Sequence, residues 1–329
     1  MPFAQDNGVE GLIGRADPNT KSAIRAEHCL SEDSHDEFEA SNTSIKTTSW
    51  REYWLVVGRE DSEPLGEEEM PTVENEGTPS RTMKAIKQLL DEPVARDAKL
   101  TWEEIVCLRL YSGPMYMKYN TILRNFPQES VDTLKGNKYT TTIHLILSGI
   151  LKLSRVQPIP TSRMVYRGLG GRRLPKEFYI TDKNGSRGGV EAAFMSTSTD
   201  VQVALEYAGK GHGGKRIIFE IELGKMSMGA DIQFLSQYPN EKEILFTPLT
   251  HLEIIGQPSH KVLFPPYLPP LEVQKWQSNS EEMAPFDYFV PFRFCCHSIA
   301  PVHVPAVLRL LCCCVLAPQC IAIDFSVPL

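Results

Sequence analysis

A change of hydrophobic period near Pro160 limits what this chain can fold into more than any other feature. Before it, apolar residues recur at helical spacing. Ile143, Ile146, Leu147, Ile150 and Leu151 make one stripe on a helix predicted from about Thr140 to Leu153, since residues three and four apart share a helix face. Thr101 with Glu104 forms a capping box ahead of Ile105, Leu108 and Leu110, and Gly113-Pro114 stops that helix. A further helix is expected around Tyr116 to Asn125. After Pro160 the runs shorten to strand length, at Met164 to Gly168, Ala193 to Ser198, Arg216 to Leu223, Glu243 to Thr247 and Leu252 to Ile255. One helix, Asp200 to Ala208, lies among them. Strands joined mainly by loops predict an α+β fold with antiparallel sheets, not repeated parallel βαβ units.

These signals fill residues 81–260, which are read as the folded domain. Residues 1–80 are rich in Ser, Thr, Asn, Asp and Glu with one apolar island, Trp50 to Val57, so they are expected to be a mostly disordered, acidic linker region. Residues 261–329 form a Pro- and Cys-rich tail of undetermined order. Its apolar stretch from Val304 to Ile323 is interrupted by Pro305, Arg309, Pro318 and Gln319, which makes it a poor membrane span.

The formal net charge of -7 and the acid run from Glu60 to Glu76 argue against nucleic acid as a partner. Basic residues do gather at Arg163, Arg167, Arg172, Arg173, Lys176, Lys183 and Arg187, which suits a small anionic ligand. Six of the eight cysteines follow residue 294, so no disulfide framework is expected. No set of His, Cys, Asp and Glu has ligand spacing, so no metal is expected either. The N-terminus lacks the basic start and apolar run of a secretory signal, which leaves a cytoplasmic location as the default. Gly168-Leu-Gly-Gly and Gly209-Lys-Gly-His-Gly-Gly do not sit between a strand and a helix, as a Rossmann or phosphate loop requires.

Three strings on three predicted strands carry chemistry: Tyr166-Arg167-Gly168, Ser196-Thr197-Ser198 and Glu241-Lys242-Glu243. An arginine in an apolar strand is costly to bury without an anion, and a diphosphate would satisfy its planar fork of donors. Ser196 can orient a nearby carboxylate through its hydroxyl. Glu241 and Glu243, two positions apart, lie on the same side of the chain.

In this order and context the sequence resembles the R-S-E class of mono-ADP-ribosyltransferases, over about Leu100 to Gly256. The likeness extends to Leu110-Tyr111-Ser112-Gly113, Asn120 with Leu123-Arg124, and Ile232 to Phe246, where Leu235-Ser236 precedes the two glutamates. It implies a helical N-terminal portion followed by a core of two packed, mainly antiparallel sheets. It also implies that NAD is cleaved as a substrate and its ADP-ribose passed to an arginine-bearing protein. Arg167 and Gly168, with Ser196, Thr197 and Ser198, would then make the NAD site. Ser196 would hold Glu243, the catalytic glutamate. Glu241, glutamate rather than glutamine two places earlier, would mark arginine as the acceptor, and Tyr238 would offer an aromatic platform to the guanidinium. Phe194 is read as core and Thr197 as structural support. Two alternatives stay open at this level: an NAD glycohydrolase, and an inactive module of the same fold that binds NAD or a protein.

Overall fold

The computed structural model describes residues 8–39, 46–58, 81–82, 84–158, 164–170, 174–181, 185–209, 216–224, 229–256, 259–261 and 287–294. Ten α-helices and eleven strands lie among them. In chain order the first are α1 (Gly8–Ile13), α2 (Thr20–Arg25), β1 (Phe38–Glu39), β2 (Lys46–Thr47) and α3 (Ser49–Val57). A helical layer follows: α4 (Ile86–Leu90), α5 (Pro93–Asp97), α6 (Trp102–Leu110), α7 (Tyr116–Arg124), α8 (Gln128–Asp132) and α9 (Thr140–Val156). The strands then come with one helix among them: β3 (Met164–Leu169), β4 (Gly188–Glu191), β5 (Met195–Ser198), α10 (Val201–Gly209), β6 (Arg216–Glu222) and β7 (Ala230–Asp231). The last are β8 (Glu243–Phe246), β9 (Thr250–Ile254), β10 (Ser259–Lys261) and β11 (Asp287–Phe294). The α+β class expected from the period change is the class found.

Local chemistry explains the helix ends. The Thr101 hydroxyl accepts from Glu104 N at 3.3 Å and the Glu104 carboxylate accepts from Thr101 N at 2.9 Å, closing the predicted capping box. The same carboxylate takes the Ser148 hydroxyl at 2.6 Å and Lys152 Nζ at 2.7 Å, so one side chain both starts α6 and fastens α9 to it. Pro114 has no N–H to continue α6 and Gly113 takes extended backbone (φ -104°, ψ -166°), so the chain turns through Tyr111–Met115 into α7.

One strand path, β4-β9-β11-β6-β3-β5-β8-β7, runs through the nine-stranded sheet, with β10 paired to β11. Every pairing in it is antiparallel except β6 with β11. Between β3 and β5 the ladder narrows to one pair, Tyr166 with Ser198. There the path folds into two packed halves. Met195, Ile244 and Phe246 of one half share a core with Val165, Phe219, Ile221, Leu252 and Ile254 of the other. Leu245, Ala230 and Phe194 face instead the helical-layer core of Ile105, Leu108, Ile143 and Ile146. Strand β8 is therefore covered on both faces, as its four buried residues show.

One expectation needs correction, that residues 1–80 are mostly disordered: residues 8–39 and 46–58 carry α1, α2 and α3. Ile24, Tyr53, Trp54 and Val56 are buried in the same core as Ile105 and Tyr119. A low average hydrophobicity hid them because the polar residues of this segment are satisfied internally. Lys118 Nζ reaches Asp33 Oδ2 at 2.7 Å and Ser49 Oγ at 2.8 Å. The Tyr139 hydroxyl donates to Asp33 Oδ2 at 2.8 Å, and Glu27 accepts Thr141 N and Thr142 N at 2.7 and 3.0 Å at the start of α9. The acid run from Glu60 to Glu76 lies outside the described residues.

The sequence left the order of the tail open; within it, residues 287–294 form β11, seated between β6 and β9. Pro291 in mid-strand, which removes a ladder donor, disguises this segment in the sequence. The cysteines after residue 294 lie outside the described residues, and Cys29 and Cys107 are free and buried. Among the described residues no helix is long and apolar enough to cross a membrane.

Candidate active site

Strands β3, β5 and β8 are consecutive in the sheet; β3 and β5 carry the first two strings, and β8 begins at Glu243, the last residue of the third. The register pairs Ser198 with Glu243, Thr197 with Ile244 and Ser196 with Leu245. Because side chains alternate, Ser196, Ser198 and Glu243 share the face that looks toward the helical layer, while Thr197 and Ile244 look the other way. The Thr197 hydroxyl donates to Ile244 O at 2.9 Å, a purely structural tie between the two strands. Ser198 donates to Glu241 O at 2.6 Å and accepts from Asp200 N at 3.0 Å, which fixes the turn before β8 to the start of α10.

Glu243 is 6% exposed. Burial pushes its carboxyl up to about 8; the Ser196 hydroxyl bonded to it and the Arg167 charge pull down, and Glu241 pushes up. Arg167 Nη1 donates to Ser196 O at 2.8 Å, so arginine, serine and glutamate form one connected group. Burial lowers the Arg167 pKa, opposed by the carboxylate of Glu191.

Sequence reading missed Glu191. It is fully buried at the end of β4, takes Arg124 Nε and Nη2 at 3.2 Å each, and lies 3.6 Å from Arg167 Nη2. Such a carboxylate holds two guanidinium groups of like charge side by side. The signal available in the sequence was Arg124, an arginine ending an amphipathic helix, whose partner only the fold reveals.

Glu241 lies on the short turn Pro239–Glu241 and is half-buried. Its Oε1 accepts the Tyr207 hydroxyl at 2.6 Å. Tyr207, from α10, is the second residue that sequence reading missed. Lys242, between the glutamates, adopts φ +48° and donates to Asp200 Oδ2 at 3.0 Å. That left-handed residue turns the chain, so Glu241 and Glu243 do not continue one regular strand as their spacing suggested.

Tyr238 is half-buried and its hydroxyl is enclosed without a hydrogen-bond partner among the described residues. Gly168 meets helix α10: a Cβ there would fall 1.9 Å from Ala204 O. Its small size is thus required by packing, whatever it does toward a ligand. Phe194 is fully buried, with its ring edge-on to Tyr111 at 5.2 Å, as expected of core. Arg163, Arg172, Arg173 and Lys183 lie outside the described residues, as do Gly171 and residues 210–215 of the glycine-rich segments. Among the described residues no group of three or more His, Cys, Asp or Glu is placed to hold a metal.

A helical layer on a folded, mainly antiparallel sheet, with arginine, serine and glutamate brought together by three neighbouring strands, is the architecture of mono-ADP-ribosyltransferases. Residues 82–262 match the model of the ADP-ribosyltransferase exoenzyme family, and the chain belongs to that family. NAD is therefore its substrate, and the chain is an NAD-dependent transferase. No curated protein matches it.

Among solved structures it is similar to the ADP-ribosyltransferase HopU1 of Pseudomonas syringae pv. Tomato DC3000, at 21% identity over 64% of this chain and 86% of that one, with a TM-score of 0.44. It is similar to the ATR domain of Salmonella SpvB at 20% identity, over 59% and 98% of the two chains, with a TM-score of 0.38. The corresponding values for the Vis toxin of Vibrio splendidus are 21%, 69%, 92% and 0.38.

Proposed function

We propose that this transferase modifies arginine on a protein, with Glu243 as the catalytic carboxylate and Glu241 as the group that receives the acceptor. The observation that carries this reading is the contrast between the two glutamates. Glu243 is buried against Ser196 and near Arg167, whereas Glu241 is half-exposed and held by Tyr207.

In this reading Arg167, steadied by Glu191 and Ser196 O, binds the NAD diphosphate through its fork of donors. The bond between the ribose C1′ and the nicotinamide nitrogen breaks, and its electron pair leaves with nicotinamide. Positive charge develops on the ribose. The Glu243 carboxylate, accepting a hydrogen bond from the 2′-hydroxyl, stabilises that charge more in the transition state than in the ground state. A guanidinium nitrogen then forms the new bond to C1′, and its proton passes to Glu241. Guanidinium needs this help because its pKa exceeds ~12. Tyr238, beside Glu241 in the same loop, supplies an aromatic face to the cation.

The test is transfer to agmatine, a small guanidino compound, by wild type and Glu241→Gln. The expected outcome is an ADP-ribosyl-agmatine product that falls by about 100-fold or more in the variant while nicotinamide release persists. Wild-type nicotinamide release that ignores agmatine would make the chain a glycohydrolase. NAD binding without release would make it a binding module.

A further inference from the structure

The loop Ser236–Asn240, which carries Tyr238 and leads into Glu241, is anchored by a residue that takes no part in the chemistry above. Gln237 is fully buried, and all of its polar groups are engaged. Its main-chain N–H donates to Ser112 Oγ at 3.0 Å and its carbonyl accepts Thr82 N at 2.8 Å. Its side-chain nitrogen donates to Arg109 O at 2.8 Å, and its side-chain oxygen accepts Arg81 Nε at 2.9 Å. Gly113 makes room for it, since a Cβ at that glycine would fall 2.2 Å from Gln237 Nε2.

Arg81 carries the connection outward. Its two terminal nitrogens grip the Glu52 carboxylate of α3, in a pair whose side chains are only 7% and 1% exposed. Glu52 is held in turn by the Thr47 hydroxyl at 2.7 Å. A buried relay, Thr47 to Glu52 to Arg81 to Gln237, therefore joins α3 to the loop before the two glutamates. Glu52 and Arg81 both precede the 82–262 match to the family.

We propose that Glu52 and Arg81 are positioning residues for this loop, so that the segment ahead of the family domain sets how ADP-ribose is partitioned between a guanidinium acceptor and water. The proposal rests on the arginine reading above. Its physical basis is that a half-exposed carboxylate and a tyrosine ring align a cation only if the loop bearing them keeps one conformation. Glu243 lies on a strand covered on both faces and does not depend on the relay.

The experiment uses full-length Glu52→Gln and Arg81→Lys, with total nicotinamide release and ADP-ribosyl-agmatine measured together. Arg81→Lys keeps a charge opposite Glu52 but cannot also reach Gln237 with a second fixed nitrogen. In both variants the ratio of transfer to hydrolysis is expected to fall by about tenfold, through a higher KM for agmatine, while the KM for NAD stays near wild type. Amide exchange of residues 232–242 is expected to quicken while that of 243–246 does not change. A parallel loss of transfer and NAD cleavage, or an unchanged ratio with unchanged exchange, would overturn the proposal. Wild type that yields no agmatine product would sink the arginine reading itself; unaltered exchange in the variants would then still overturn the relay.

Discussion

Glu243 and Glu241 stand two residues apart, yet the fold gives them different surroundings. The sequence shows two carboxylates and their spacing; it does not show that Lys242 turns the chain between them, because a positive φ at lysine has no signature in composition. Arg167, Ser196 and Glu243 were legible because each sits in a strand whose apolar flanks mark it. Glu191 and Tyr207 were not, since their partners are 67 and 34 residues away in the chain. The raised pKa of Glu243 has a consequence for stability. With a folded value near 8 against an ordinary value of 4.5, the protonated carboxyl favours the native state, fully below 4.5, and this contribution is lost as pH rises through 8. Glu243→Gln, which cannot ionise, is therefore expected to raise Tm by a few degrees at pH 9 and by less at pH 5. Equal thermal scans of the two proteins at pH 9 would contradict the burial argument.

At the scale of elements, strands and long helices were read well because periodicity and caps act locally. The capping box at Thr101, the stop at Gly113-Pro114 and helix α9 all follow from short-range chemistry. Strands β4, β7 and β11 escaped: the first opens on Gly188-Gly189, which offer no side-chain pattern, the second has only two residues, and Pro291 breaks the pattern of the third. Gly168 shows the opposite case, a residue noticed for a ligand role whose demonstrable constraint is helix packing. Replacing it with alanine drives a methyl group into the Ala204 carbonyl of α10. Gly168→Ala is expected to cost about 1–3 kcal/mol or more in urea unfolding, by forcing α10 away from β3. An unfolding midpoint like that of wild type would mean that α10 adjusts without strain.

The molecule as a whole is larger than the stretch in which its chemistry is written. Average composition separated an acidic N-terminal region from a catalytic domain, but that average mixes a polar linker with three helices whose few apolar residues enter the common core. What holds them is a set of buried, mutually satisfied polar groups around Asp33, Glu27 and Glu52, and such sets are invisible to a hydrophobicity profile because each member reads as solvent-exposed. One of these groups, Glu52, also connects α3 through Arg81 to Gln237 in the loop beside Glu241, so part of a segment expected to be mostly disordered is tied to that loop.

Glu243 is proposed as the carboxylate that drives NAD cleavage. Its most direct test is the pH dependence of kcat/KM for nicotinamide release, for wild type and Glu243→Gln. Wild type is expected to rise with pH and level off above about 8 as Glu243 ionises, with the variant flat across this range, lower by about 100-fold or more on the plateau and closer to wild type as pH falls. A Glu243→Gln protein that releases nicotinamide at the wild-type rate would contradict the account and move the cleavage chemistry to another residue.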